Sequence, residues 1–211
     1  MRSVSLVVRA GEAIALRGAP GAGKSTLLLC AAGLLRPDSG TVSWHGRPAI
    51  AGRGAPALFA SARRGLHACV TVRESLLFHA MLHDATPHPP SLASMAELLD
   101  ALSLHAILGT RVDSLGATER CRIAIAECLL LGARLLLVDD APPAVLPTAF
   151  FASLLERGLA AVIARAQGRD SAFFTRSVTL AGGVLEGDTA AERGAHHRAP
   201  ARVAELERAR R

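Results

Sequence analysis

An α/β fold built on a mostly parallel sheet with helices on both faces is predicted by three features of this 211-residue chain. Short apolar segments of strand length alternate with longer segments of helical pattern, the order that crossover connections between parallel strands require. A glycine-rich turn, Gly18–Gly23, joins an apolar run to a helical one. Half of the residues are hydrophobic and a fifth are charged, enough apolar side chain to fill a core.

The elements follow in order. Val4, Leu6 and Val8 alternate with Ser3, Ser5 and Val7, a strand pattern. Ala13–Leu16 is a second apolar strand, and Ser25–Leu35 has helical character closed by Gly33 and Pro37–Gly40. Thr41–Trp44 and the turn at Gly46-Arg47-Pro48 form a small hairpin. A helix runs from Thr71 or Arg73 to Leu82, and His83–Ser91, rich in Pro and His, is a loop. Leu92–Leu104 and Glu119–Leu131 read as helices, Leu135–Val138 as a buried strand, and Phe150–Glu156 as a helix. Leu159–Ala164 is another apolar strand, and Ser177–Leu180 before Gly182-Gly183 opens a hairpin. From Asp188 the chain turns polar and basic, and Val203–Arg211 reads as a short exposed helix.

The charge balance narrows the partners. The formal net charge is +6. The arginines are scattered rather than clustered, and aromatic residues make up only 3%, which leaves no stacking platform for bases. No nucleic-acid partner is therefore expected. Cys30, Cys69, Cys121 and Cys128 show no paired spacing and read as buried thiols of a reducing cytosol. Arg9 and Glu12 interrupt the N-terminal apolar stretch, so no signal peptide is read there. The most apolar segment, Ile123–Val138, is broken by Glu127 and Arg134, so any link to a membrane is expected through a partner. His79 and His83 lie four residues apart with His88 beyond, but no acid or thiol joins them. They read as surface or interface side chains.

Gly18-Ala19-Pro20-Gly21-Ala22-Gly23-Lys24-Ser25-Thr26 matches the pattern G-x-x-x-x-G-K-[ST], a P-loop. Its glycines let successive backbone N–H groups turn inward around phosphates, and the helix that follows adds its positive end. Lys24 is the only lysine among the chain's 24 basic side chains, the rest being arginine. A compact ammonium fits between phosphates where a planar guanidinium is too bulky. In this motif Lys24 reaches the β- and γ-phosphates of ATP or a close nucleotide, and the Ser25 hydroxyl ligates Mg2+. Arg134-Leu-Leu-Leu-Val-Asp139 is an apolar strand ending in a carboxylate. Paired with a P-loop, it places Asp139 as the acid that holds Mg2+ through water.

With these motifs the chain resembles the ABC ATPase family over essentially its whole length. The resemblance rests on Gly18–Thr26, on Ala32-Gly33-Leu34-Leu35-Arg36-Pro37-Asp38-Ser39-Gly40-Thr41-Val42, on Val70-Thr71-Val72-Arg73-Glu74-Ser75-Leu76 and on Glu119–Ala126 ahead of the acidic strand. It implies a RecA-like P-loop NTPase core over 1–72 and 131–187, an inserted α-helical subdomain over 73–130, and a basic polar tail over 188–211. It also implies an ATP-binding subunit that works peripherally on the inner face of the cell membrane. Its partners would be a membrane-spanning permease subunit and a second ABC subunit.

Several positions depart from the family pattern. The signature, normally Leu-Ser-Gly-Gly-Gln or -Glu, falls on Leu115-Gly116-Ala117-Thr118-Glu119. The catalytic Glu falls on Asp140, the switch His on Gln167, and the Q-loop Gln near Ala62. The loop after the acidic strand, Pro143–Pro147, is unrecognisable, and the family's first strand and adenine-stacking aromatic have no counterpart. The implied subunit therefore hydrolyses ATP slowly through Asp140 and Gln167, and a heterodimer is favoured over a homodimer. A non-hydrolysing regulatory half of such a heterodimer, and another P-loop NTPase or kinase, stand as alternatives.

Overall fold

The computed structural model describes residues 4–50, 55–62, 69–84, 91–142, 145–165, 172–190 and 202–207. Six strands form one sheet in the order β5 (Ala57–Ser61), β6 (Leu135–Asp139), β7 (Ala160–Ala164), β2 (Ala13–Arg17), β8 (Arg176–Ala181), β9 (Val184–Ala190). The first five are parallel, and only β9 runs against its neighbour. A second, four-stranded antiparallel sheet has the order β1 (Leu6–Arg9), β10 (Arg202–Glu207), β3 (Thr41–Trp44), β4 (Arg47–Pro48).

The unbroken apolar runs have a simple cause. On β6, Leu135 and Leu137 pack with Leu27 and Leu28 of α1 (Lys24–Ala31) on one face. Leu136 and Val138 pack with α4 (Ala117–Leu130) and α5 (Thr148–Glu156) on the other. All four strand residues are fully buried. A strand covered on both faces has no solvent side for a polar residue, so alternation disappears. Phe151 of α5 stacks on Phe173 with ring centroids 5.5 Å apart, which seals the α5 face.

The predicted elements mostly hold, with shifted ends. The helix predicted over Leu92–Leu104 is α3, Met95–Ala101, because Ser94 caps it: Glu97 N–H donates to the Ser94 hydroxyl and Ser94 N–H donates to the Glu97 carboxylate. The helix from Thr71 or Arg73 is α2, Val72–Asp84. The tail departs in kind. Arg202–Glu207 is a strand, not part of an exposed helix, and lies between β1 and β3 with Ala204 opposite Trp44 and Leu206 opposite Leu6. Backbone pairing on both sides outweighs the helix preference of its Ala, Leu and Glu residues.

Candidate functional site

The carboxyl ends of the parallel strands gather the residues that the sequence singles out, the edge where open α/β sheets hold ligands. β2 ends at Arg17, and the chain turns through Gly18–Gly23 into α1. Gly18 has φ 151°, and a Cβ built there would lie 2.5 Å from the Leu180 carbonyl oxygen. Backbone cannot yield that distance cheaply, so the first residue of the loop has to be glycine. Gly23 has φ 99° and sits at the N-cap of α1, a left-handed conformation that side chains disfavour. Ala22 N–H donates to Ala19 O at 3.1 Å and Leu27 N–H to Gly23 O at 2.9 Å, which fixes the turn and starts the helix.

Lys24 opens α1, and its ammonium donates to Gly18 O at 2.7 Å and Ala19 O at 3.0 Å. The cation is thus held over the loop's own concavity. Ser25 and Thr26 are exposed in the first turn of the same helix. Asp139 closes β6, half-buried, on the strand face that alternates toward α1 and Ser25. The loop geometry, the single ammonium and the two oxygen donors Ser25 and Asp139 suit a polyphosphate with Mg2+, a hard cation that takes oxygen ligands.

Asp140 follows at φ 51°, exposed, a left-handed backbone that Asp tolerates better than most residues. Its neighbour Ala141 donates N–H to Ala164 O at 3.2 Å, which ties the acidic turn to the end of β7. Ala62 lies just past β5, whose last residue Ser61 is in register with Asp139. Gln167, Pro143, Ala144 and His88 lie outside the described residues.

The signature segment starts α4. Gly116 is exposed with φ −71°, and its N–H donates to the Glu119 carboxylate at 2.9 Å. Glu119 therefore acts as a helix cap, a role its sequence position did not disclose. A Cβ at Gly116 would meet only that carboxylate, at an ordinary 3.5 Å.

Two readings of isolated residues are corrected. Cys30, Cys121 and Cys128 are buried, but Cys69 is exposed. Burial, with Asp140 and Asp139 nearby, pushes the Cys121 thiol up to about 12. His79 is not a surface residue. Its Nδ1 lies 2.8 Å from Ser75 O and 3.7 Å from Glu127 Oε1, in the seam between α2 and α4. Ser75 donates its hydroxyl to the same buried Glu127. Sequence reading missed this seam, since Ser75 and Glu127 are 52 residues apart. Among the described residues, no group of three or more His, Cys, Asp or Glu side chains is placed to hold a metal.

Known proteins are similar to this chain. A family model described as ABC transporter matches residues 1–142. The cytochrome c biogenesis ATP-binding export protein CcmA of Rhizobium johnstonii is 36% identical over 162 residues, covering 74% of each chain. The methionine import ATP-binding protein MetN of Mesorhizobium japonicum is 36% identical over 152 residues, which cover 68% of this chain and 41% of that protein. A solved structure titled as the ATP binding subunit of an ABC transporter superposes with a TM-score of 0.69 at 21% identity. It covers 88% of this chain and 81% of its own, and it bears on the fold.

Proposed function

Because this chain belongs to the ABC transporter family as an ATP-binding subunit, we propose that it binds Mg-ATP at Gly18–Thr26 and couples that binding to a membrane-spanning permease partner, with slow hydrolysis. The observation that carries this reading is the P-loop itself, with Gly18 pressed against the Leu180 carbonyl and the Lys24 ammonium held above the turn. Lys24 binds the β- and γ-phosphates, Ser25 and Asp139 hold Mg2+, and Asp140 with Gln167 handles the attacking water. Mg2+ held by Ser25 and Asp139 would neutralise charge on the nucleotide phosphates.

The partner surface has support of its own. On α2, Leu77, Phe78 and Met81 are 50%, 51% and 70% exposed, and adjacent exposed large apolar side chains mark interaction surfaces. No helix among the described residues is long and apolar enough to cross a membrane. At equal identity one relative is named for export and another for import. Similarity to this chain therefore does not fix cargo or direction.

A second reading, a non-hydrolysing regulatory or degenerate half of a heterodimer, is favoured by Ala117 and Thr118 in the signature, where Cβ atoms obstruct close approach of a partner's phosphate. The test of nucleotide binding is calorimetry of Mg-ATP with wild type and Lys24→Ala. The variant is expected to bind at least about tenfold more weakly, about 1.4 kcal/mol. Equal affinities would overturn the proposal.

A further inference from the structure

Ser61 has no part in the roles above, yet it is 5% exposed and is the one polar side chain on β5. Burying a hydroxyl costs free energy unless hydrogen bonds compensate it. Ser61 is already engaged within the protein. A hydroxyl carries one donor and two acceptor lone pairs, so such a contact leaves capacity for a second partner.

Register and alternation place that capacity. β5 and β6 run parallel, with Ala57 opposite Leu135 and Ser61 opposite Asp139. Residues paired in this way share a face, on strands about 4.8 Å apart. Ala57 and Phe59 pack with Leu135, Leu137 and the α1 residues Leu27 and Leu28, whereas Ala60 packs with Val138 on the opposite face. Ser61 and Asp139 come two residues after Phe59 and Leu137, so both side chains start toward α1, the helix whose first turn carries Lys24 and Ser25. Both stand at the carboxyl edge of the sheet, where β2 gives way to Gly18–Gly23. The next residue, Ala62, brings no polar atom in its side chain.

We propose that Ser61 is a positioning residue of the Mg2+ site: its hydroxyl hydrogen-bonds a water in the metal's shell on the Asp139 side. This deepens the nucleotide-binding reading and rests on it. Mg2+ gives up its waters reluctantly and is held by one or two protein oxygens plus phosphates, so several shell waters need partners of their own. A serine buried beside Asp139 offers an oxygen already fixed in place by packing. Groups that orient a metal's ligands from behind typically set metal affinity by about 10- to 100-fold. The competing role for so buried a hydroxyl is structural, closing the end of β5 and nothing more.

The two roles separate by titration of the full chain with ATP in saturating Mg2+ and again in EDTA, for wild type, Ser61→Ala and Ser61→Cys, with thermal melting alongside. Mg2+ should tighten ATP binding by wild type about tenfold or more, and Ser61→Ala should lose about tenfold in Mg-ATP affinity while ATP affinity in EDTA stays within about twofold. Ser61→Cys keeps the shape but offers a weakly hydrogen-bonding sulfur, and should shift the same way. Should Ser61→Ala fail to fold, Ser61→Cys decides. A structural role predicts a lower melting temperature with an unchanged gain from Mg2+, and that result overturns the proposal. Equal losses of affinity with and without Mg2+ overturn it as well. Wild type that binds no ATP overturns the P-loop reading and this one together. Wild type that gains from Mg2+, with a gain indifferent to residue 61, overturns this one alone.

Discussion

A carboxylate on a left-handed backbone sets the residue-scale problem. Asp140 has φ 51° and is exposed beside the metal-ligand candidate Asp139. Asp is one methylene shorter than the Glu that the family carries at this position, so its carboxylate sits back by about 1.5 Å, one C–C bond. A general base acts within roughly 2.6–3.2 Å of the water it activates, or through one further water. Gln167 offers a neutral hydrogen bond where an imidazole would offer charge and a proton. Wild-type turnover is therefore expected near background, and Asp140→Glu combined with Gln167→His is expected to raise it, with Mg-ATP affinity little changed. Glu is a poorer left-handed residue than Asp, so the same variant should lose up to about 1 kcal/mol of stability, read by denaturant titration. Purified wild type turning over ATP at about 1 s⁻¹ or faster, a typical enzyme rate, would remove this reading. The P-loop was legible because its chemistry is local: nine consecutive residues carry both the backbone demand and the ammonium. The contact of His79 and Ser75 with Glu127 was not legible, because the two sides lie on different helices, α2 and α4, far apart in sequence.

At the scale of elements, α3 carries the clearest electrostatic device. The Ser94 N–H and hydroxyl and the Arg157 guanidinium hold the Glu97 carboxyl down at about 2, with the Ser94 backbone bond the largest cause. A depressed folded-state value means the ionised carboxylate favours the fold. That contribution is complete above the ordinary value of 4.5 and is lost as pH falls from there through about 2. Glu97→Gln should therefore melt below wild type at neutral pH, with the gap closing across that window. A gap independent of pH, measured by circular dichroism, would mean that the carboxylate charge is not what stabilises the cap. The Ser94-Met-Ala-Glu97 spacing was present in the sequence as a capping box, but the apolar residues on either side led the predicted helix three residues too far at each end. The strand at Arg202–Glu207 was misread for a different reason. Its residues favour helix locally, and only pairing with β1 and β3, both more than 150 residues earlier, makes it extended. Buried parallel strands such as β6 were read correctly because covering both faces leaves a run of apolar residues that no surface segment shows.

The whole molecule poses the question of assembly. The ABC family joins two subunits head to tail, each P-loop facing the other's signature, and in this chain that signature begins α4. Leu115 is buried and anchors the segment, Gly116 is exposed, and Glu119 caps the helix by accepting from Gly116 N–H. The framework for a signature is thus in place, and what it lacks is the serine hydroxyl and the two bare backbone positions now held by Ala117 and Thr118. The backbone at Gly116, at φ −71°, accepts any residue, and an added Cβ meets nothing closer than 3.5 Å. Ser at that N-cap position satisfies helix N–H groups better than Gly does, by a few tenths of a kcal/mol. Ala117→Gly and Thr118→Gly lower helix propensity, by at most about 1 kcal/mol each. The triple variant Gly116→Ser, Ala117→Gly, Thr118→Gly should consequently fold with a small loss of stability. Wild type is expected to remain monomeric in Mg-ATP, and the variant, further slowed by Asp140→Asn so that nucleotide persists, to dimerise in Mg-ATP but not in Mg-ADP. Light scattering at matched protein concentrations reads the difference. ATP-driven dimers of wild type would show that Ala117 and Thr118 do not obstruct the interface. A variant that binds ATP yet stays monomeric would place the obstacle elsewhere in the molecule, and the heterodimer reading would then lose the observation that favours it.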